Sequence, residues 1–360
     1  MAQGSGLWES ADNSLELFRE SKKLLADWIP KVMRVTCDAI TSGTVVPSET
    51  VLLTNSMGLL YLGPFWLERG FTRLVCLEPY LLFDWLGRWR RERSQFLPSS
   101  LPTWIGGLLY RGLFGRHGRA LVAEFLGRRL TSRFADLQSA VVAQIHTCSP
   151  QLIPEPSLAT GYCYPSVVGT VSGELDAFLT RATTSSQAVV LFTIGSMNLS
   201  ERDKAAMVDE FVGAIDLSND VAGVVLGYSG PSHDSVFFQE GFVPYRAVFP
   251  RADLIVCHGG AGTAHLALHA GVPIVIVPFL KDQFDWARRL DRLGMLVDSV
   301  PRREFSAQRL ATAIDGVEAE TIRSACRAGE TERARHGDGL DRVVEQLLAV
   351  HRQSRFWSES

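Results

Sequence analysis

No uninterrupted apolar run in the sequence reaches about 18 residues, the length at which a helix crosses a bilayer. Membrane spanning is therefore not indicated. The first thirty residues also lack a basic segment followed by an apolar one, so no secretory leader is read there. Cysteine is sparse and unpaired: Cys37, Cys76, Cys148, Cys163, Cys257 and Cys326 include no Cys-x-x-Cys, and several sit in apolar runs where a free thiol behaves as a small hydrophobe. A reducing, cytoplasmic setting is the expectation. The charges nearly cancel, 36 basic against 39 acidic residues for a net −3, which gives no general attraction to nucleic acid. What is present is 46% hydrophobic residues over 360 positions, enough for two domains with cores of their own.

The chain is organised around Phe242 to Trp286. Asp253 to Cys257 is a short apolar run suited to a buried parallel strand, and Gly259-Gly260-Ala261-Gly262 after it opens a helix near Thr263. Glycines let backbone N–H groups approach a ligand. A helix start adds unpaired donors and roughly half a positive charge, so an anion, most simply a diphosphate, is the natural occupant. Ala264 to Ala270 carry the helix until Gly271-Val272-Pro273 stops it, and Ile274 to Val277 form the next strand. Asp282-Gln283 follow. Ligands of open α/β sheets sit outside the carboxyl ends of the strands, which puts His258, the glycine loop, Asp282 and Gln283 on one rim. The loop is not a Walker A motif, lacking Gly-Lys-Ser/Thr, nor is it Gly-x-Gly-x-x-Gly with a ribose-binding acid after the next strand.

Ahead of this stretch, residues 1–13 read as frayed, and Leu17, Leu24, Leu25, Trp28, Val32 and Met33 recur at helical spacing. Thr50 to Thr54, Leu59 to Arg69 and Arg73 to Leu77 read as strand, helix and strand, half of a doubly wound domain. From Trp85 to Ala135 ten arginines face only Glu92 and Glu124, a balance of +8, with leucines and aromatics interleaved. Such a segment suits a membrane surface or a lipid acceptor. A solvated helical hairpin is the plainer reading and is preferred. His117 lies beside glycine within it, not after a strand, and is not assigned as a base. Ser139 to His146 is the next strand. Later, Val189 to Thr193 runs into Gly195-Ser196 at a helix entrance, where Ser196 is a candidate capping or phosphate donor. Helix Glu201 to Ile215 and strands Val221 to Leu226 and Val236 to Gln239 complete a βαβ series. The domains expected are 1–166, a Ser/Thr/Gly-rich linker at 167–187, a second domain at 188–340, and a helix and tail at 341–360 that crosses back.

Pro244, Phe249-Pro250, His258 to Thr263, Ala270 to Pro273, Pro278-Phe279 and Asp282-Gln283-Phe284-x-Trp286 together resemble the donor motif of the UDP-sugar glycosyltransferases with the GT-B fold. Within them the sterol 3-beta-glucosyltransferase type is the nearest likeness. The segment from His146 to Pro165 resembles that family's Ser-Pro stretch and Gly-Tyr strand. Two positions depart from the pattern: Tyr245 and Cys257 stand where that branch usually carries histidines.

The resemblance implies an α/β, GT-B-like architecture: two doubly wound Rossmann-like domains facing a cleft, the N-terminal one lacking its first βα units. It implies a metal-independent, inverting hexosyltransferase that moves glucose or a related hexose from a UDP-sugar to a hydroxyl on a lipophilic acceptor such as a sterol or another lipid. Donor contacts would come from Ser196, Val243, His258, Gly259, Gly260, Ala261, Gly262, Thr263, Asp282 and Gln283. No cofactor beyond the UDP-sugar co-substrate is expected and no metal, since the Asp-x-Asp of GT-A enzymes does not occur. The family's base is the histidine of a Gly-His pair after the first strand. Nothing upstream of Leu17 supplies it, so the base stays unassigned, and a non-catalytic or partner-dependent UDP-sugar-binding protein, a truncated glycosyltransferase, is the alternative. Peripheral membrane contact would run through residues 85–135, and no nucleic-acid partner is expected.

Three plainer expectations concern neighbours of the motif. His265 and His269, spaced i, i+4, lack a matching Asp, Glu or Cys for a metal and read as helix-surface residues. Trp286 reads as core. Asp285 reads as a solvated first-turn acid.

Overall fold

The computed structural model describes residues 29–78, 116–153, 159–164, 170–195, 199–279, 281–336 and 338–356. They fall into two units: Met1–Cys148 with Leu158–Thr160 and Leu340–Ser360, and Ser149–Ser157 with Gly161–Gly339.

In the first unit, β1 (Leu52–Thr54), β2 (Leu74–Glu78) and β3 (Val141–His146) pair in parallel in that order. Parallel neighbours need a crossover, and a helix between β1 and β2 supplies one. A helix over 29–41, α1, buries Ile29 and Met33, while Leu17, Leu24, Leu25 and Trp28 of the expected helix lie outside the described residues. Helix α2 (Ser56–Glu68) is capped by Asn55, whose side-chain oxygen accepts from Gly58 N at 2.8 Å. With α3 (Arg116–Leu126) and α4 (Phe134–Ala140), these helices enclose Leu59, Phe65, Phe71, Leu74, Val122 and Leu137. At the end of α2 the Glu68 carboxylate accepts from Thr131 N at 2.7 Å and Ser132 N at 2.8 Å and pairs with Arg128 at 2.7 Å. Burial alone would raise its pKa, yet these partners hold it down to about 2. The helix Leu340–Phe356 packs on β3, and Arg342 donates to the Thr160 carbonyl. Most of the basic segment lies outside the described residues. Its described part includes α3, where His117 meets Tyr61 edge-on at 6.1 Å.

The second unit carries six parallel strands: β4 (Ala188–Thr193), β5 (Val221–Leu226), β6 (Val236–Gln239), β7 (Leu254–Cys257), β8 (Ile274–Ile276) and β9 (Leu296–Ser299). Their order is β6-β5-β4-β7-β8-β9, so the direction of winding reverses between β4 and β7. That is the switch point at which open α/β sheets hold ligands. Every residue of β5, β7 and β8 is buried, as expected of parallel strands covered on both faces. Helices α5 (Gly173–Thr184), α6 (Glu201–Leu217), α7 (Ala261–Ala270), α8 (Lys281–Arg292), α9 (Ala307–Asp315) and α10 (Ala319–Thr331) belong to the same unit. Phe192, Phe211, Val225, Val256 and Leu310 share one core, with Phe192 stacked on Phe211 at 4.9 Å.

Helix α5 occupies the stretch read as a linker. Ser172 caps it, accepting from Leu175 N at 3.3 Å, and Leu175, Phe178, Leu179 and Ala182 bury one face. Those four apolar positions at helical spacing outweigh the Ser/Thr-rich composition around them. Among the described residues no helix is long and apolar enough to cross a membrane.

Candidate functional site

Thr193 at the end of β4 pairs with Cys257 at the end of β7, and the chain beyond each strand leads to Gly195 and His258. Gly195 has φ +57°, and a Cβ there would sit 2.4 Å from His258 Cε1. A Cβ on Gly260 would sit 2.3 Å from His258 Nε2. The imidazole is therefore slotted between two glycines, and neither position has room for a side chain. His258 is only 7% exposed, and its Nδ1 is buried with no hydrogen-bond partner among the described residues. Burial pushes its pKa down to about 4, so the ring is neutral near pH 7. Leaving such a buried polar atom unpaired costs about 1–3 kcal/mol.

The glycine loop then turns into α7. Gly259, at φ +79°, donates from its N to the Cys257 sulfur at 3.3 Å, and a Cβ there would meet Ile276 Cγ2 at 2.6 Å. Cys257 is fully buried, and its thiol is pushed up to about 12, which makes it a small hydrophobe at the strand end. Gly260 is the N-cap residue of α7, and no side chain caps the helix. The donors of the first turn, Ala261 to Thr263, and the positive end of the dipole thus lie beside the His258 ring. Tyr245 shares a 2.7 Å hydrogen bond with Thr193 Oγ1 and stacks on Phe249 at 4.8 Å, tying its loop to the end of β4. Val243, two residues earlier, is 7% exposed.

Asp282 and Gln283 lie in the first turn of α8. Burial raises the Asp282 carboxyl, against which its own and the Gln283 backbone amides act. Gln283 is buried, and its Oε1 accepts from Phe279 N at 2.6 Å, fixing the loop between β8 and α8. Ser196 lies outside the described residues. Trp286 is 2% exposed, as core packing requires. Asp285, expected in solvent, is instead buried and ion-paired with Arg288 one turn on.

His265 departs furthest from its expected place on a helix surface. It is fully buried, with Ser149 and the Tyr162 ring packed against it. Ser149 N donates to His265 Nε2 at 3.0 Å, so the ring proton is on Nδ1, which donates to the Ala261 carbonyl at 2.6 Å. Burial again pushes the pKa to about 4. Beside it Glu332, also fully buried, accepts from Ser149 Oγ at 2.5 Å, Gln151 Nε2 at 2.9 Å and Tyr164 Oη at 3.1 Å. His269 is half-buried against the Tyr164 ring at 4.4 Å. Sequence reasoning gave none of Ser149, Gln151, Tyr162, Tyr164 and Glu332 a role, although Ser149 and Tyr162 lie in the Ser-Pro stretch and Gly-Tyr strand of the resemblance. One signal was available: α7 is apolar nearly all round, with Ala264, Leu266, Ala267 and Leu268 buried, and such a helix is covered on every side.

Residues 234–336 match the family described as erythromycin biosynthesis protein CIII-like, C-terminal domain. A sterol 3-beta-glucosyltransferase of Saccharomyces cerevisiae is 29% identical over 227 residues, 58% of this chain and 18% of that protein. One from Arabidopsis thaliana is 28% identical over 274 residues, covering 71% and 43%. Among solved structures, the spinosyn rhamnosyltransferase SpnG complexed with thymidine diphosphate superposes with a TM-score of 0.55 at 19% identity, over 94% of this chain and 84% of that one. The chain shares the fold of these glycosyltransferases. Its α/β fold is that of GT-B proteins, with the six-stranded unit carrying the family match and the switch point. This GT-B chain spans less than half the length of the curated relatives it matches.

Proposed function

We propose that the protein is a metal-independent, inverting glycosyltransferase that moves a hexose, glucose in the first instance, from a UDP-sugar to a hydroxyl on a lipophilic acceptor such as a sterol. The observation that carries this reading is His258: buried at the switch point, slotted between Gly195 and Gly260, and short of a partner at Nδ1 among the described residues, beside a helix start that no side chain caps. A nucleoside diphosphate supplies what is missing there. The sterol 3-beta-glucosyltransferases among the relatives support glucose and a sterol as the first substrates to try.

Transfer leaves negative charge on the departing diphosphate. The α7 dipole and first-turn N–H groups meet that charge without reorganising, which is where electrostatic catalysis gains most. An arriving anion also favours the protonated form of His258, reversing the effect of burial, so the ring becomes a donor to a phosphate oxygen. Asp282 and Gln283, at the mouth of α8, would take the sugar hydroxyls and orient the anomeric carbon. Direct displacement by the acceptor then inverts that carbon.

Calorimetry of UDP and UDP-glucose with wild type and His258→Ala, followed by UDP release in the presence of mixed sterol and lipid acceptors, tests the reading. UDP binding that the variant weakens, together with acceptor-dependent UDP release, is the expected result. Binding without release would make the chain a UDP-sugar-binding protein. No binding by wild type would sink the reading.

A further inference from the structure

Tyr162 is held on several sides. Its carbonyl accepts from Gly339 N at 2.9 Å, its ring stacks on His265 at 4.2 Å and 16°, and Tyr164 meets it edge-on at 5.0 Å. Tyr164 is pinned in turn by Glu332. The Tyr162 hydroxyl, by contrast, makes no hydrogen bond among the described residues. It lies 3.2 Å from where a Cβ on Gly262 would stand, beside the second residue of α7. Glycine at 262 leaves the space around that hydroxyl open. A locked ring with an unused donor therefore lies beside the helix start that His258 flanks.

We propose that Tyr162 is a ligand-contacting residue whose hydroxyl donates a hydrogen bond to the diphosphate held at the start of α7. This rests on the reading of that helix start as a nucleoside-diphosphate site. A phenol donating to a phosphate oxygen forms a charge-assisted bond, about twice as strong as a neutral one. Burial raises the Tyr162 pKa, with Cys163 adding to the effect, so the proton stays on the oxygen to be donated. Through the stack on His265, whose Nδ1 holds the Ala261 carbonyl, the ring is also registered to the first turn of the helix it would assist.

Tyr162→Phe removes the hydroxyl and keeps the stack. Titration of the full chain with UDP, and with uridine followed by ligand-observed NMR, separates the phosphate contact from the rest. The expected result is UDP affinity about 10- to 100-fold weaker in the variant, with uridine affinity and melting temperature unchanged. Tyr162→Ala, which also loses the ring stack, should in addition melt earlier. Equal UDP binding by Tyr162→Phe and wild type would overturn the inference while leaving the site reading intact. Parallel loss of UDP and uridine would overturn it too, by assigning the hydroxyl a structural role. A hydroxyl that affects only UDP-glucose and not UDP would belong to the sugar instead. Wild type that binds no UDP would overturn both the site reading and this inference.

Discussion

The loop that carries His258 and the helix turn that carries His265 lie seven residues apart, and both histidines are more than nine-tenths buried with pKa values pushed to about 4. By burial and electrostatics alone they are twins. Hydrogen-bond accounting separates them: His265 uses both ring nitrogens, one accepting from Ser149 and one donating to Ala261, whereas among the described residues His258 Nδ1 has no partner. A satisfied buried histidine holds the fold. An unsatisfied one marks where something else belongs.

The strongest way to break this comparison is to truncate each ring. His265→Ala leaves a cavity and strands the Ser149 N–H, so it should destabilise the donor unit by about 3 kcal/mol, read as a fall in melting temperature of several degrees. If it melts like wild type while losing UDP, the two histidines have been assigned the wrong way round. His258→Ala should weaken UDP by about 10- to 100-fold and lower the melting temperature less than His265→Ala, since it leaves a cavity but, among the described residues, breaks no hydrogen bond. A large stability loss without a binding loss would contradict the ligand role.

Acid sharpens the contrast. Both histidines have folded-state pKa values below the 6.5 of the free ring, so the stability they contribute is full above about pH 6.5 and is lost as pH falls toward 4. Wild type should therefore melt progressively earlier over that window. His258→Ala, retaining only the His265 share, should show a shallower fall, and saturating UDP should flatten the His258 share in wild type. The smallest effect serves as a control in the other unit. Glu68→Gln should cost about 1 kcal/mol at pH 7 through lost charge-assisted bonds. Because the folded-state pKa of Glu68 is about 2, below the ordinary 4.5, the difference from wild type should close as pH falls through that interval.

Much of the donor unit was legible because its strands are fully buried runs bounded by turn residues. Val221–Leu226 and Val236–Gln239 stand where periodicity places them, and β7 starts one residue late, after Asp253, whose carboxylate accepts from Val189 N at 2.8 Å. His258 and Gly260 stood out in the sequence, since a strand-end loop of glycines has few structural uses, whereas Gly195 was read only as the neighbour of Ser196. The His265 cluster was not. Its partners Ser149 and Glu332 are 116 and 183 positions from His265 and Ser149 respectively, and no local pattern signals a pairing at that separation. Asp285 was missed for the opposite reason: the residue that neutralises it, Arg288, is three positions away, but one-letter composition does not say which face of α8 is covered.

The helix Leu340–Phe356 belongs to the first unit although nearly two hundred residues of the second unit separate it from β3. During synthesis β1, β2 and β3 leave the ribosome early, but the surface that β3 offers to this helix stays uncovered until the whole donor sheet has followed. The donor unit can finish folding as its own residues appear. Maturation of this chain should therefore run out of numerical order, with the middle of the polypeptide protease-resistant before the beginning, and a released chain ending near residue 339 should show it.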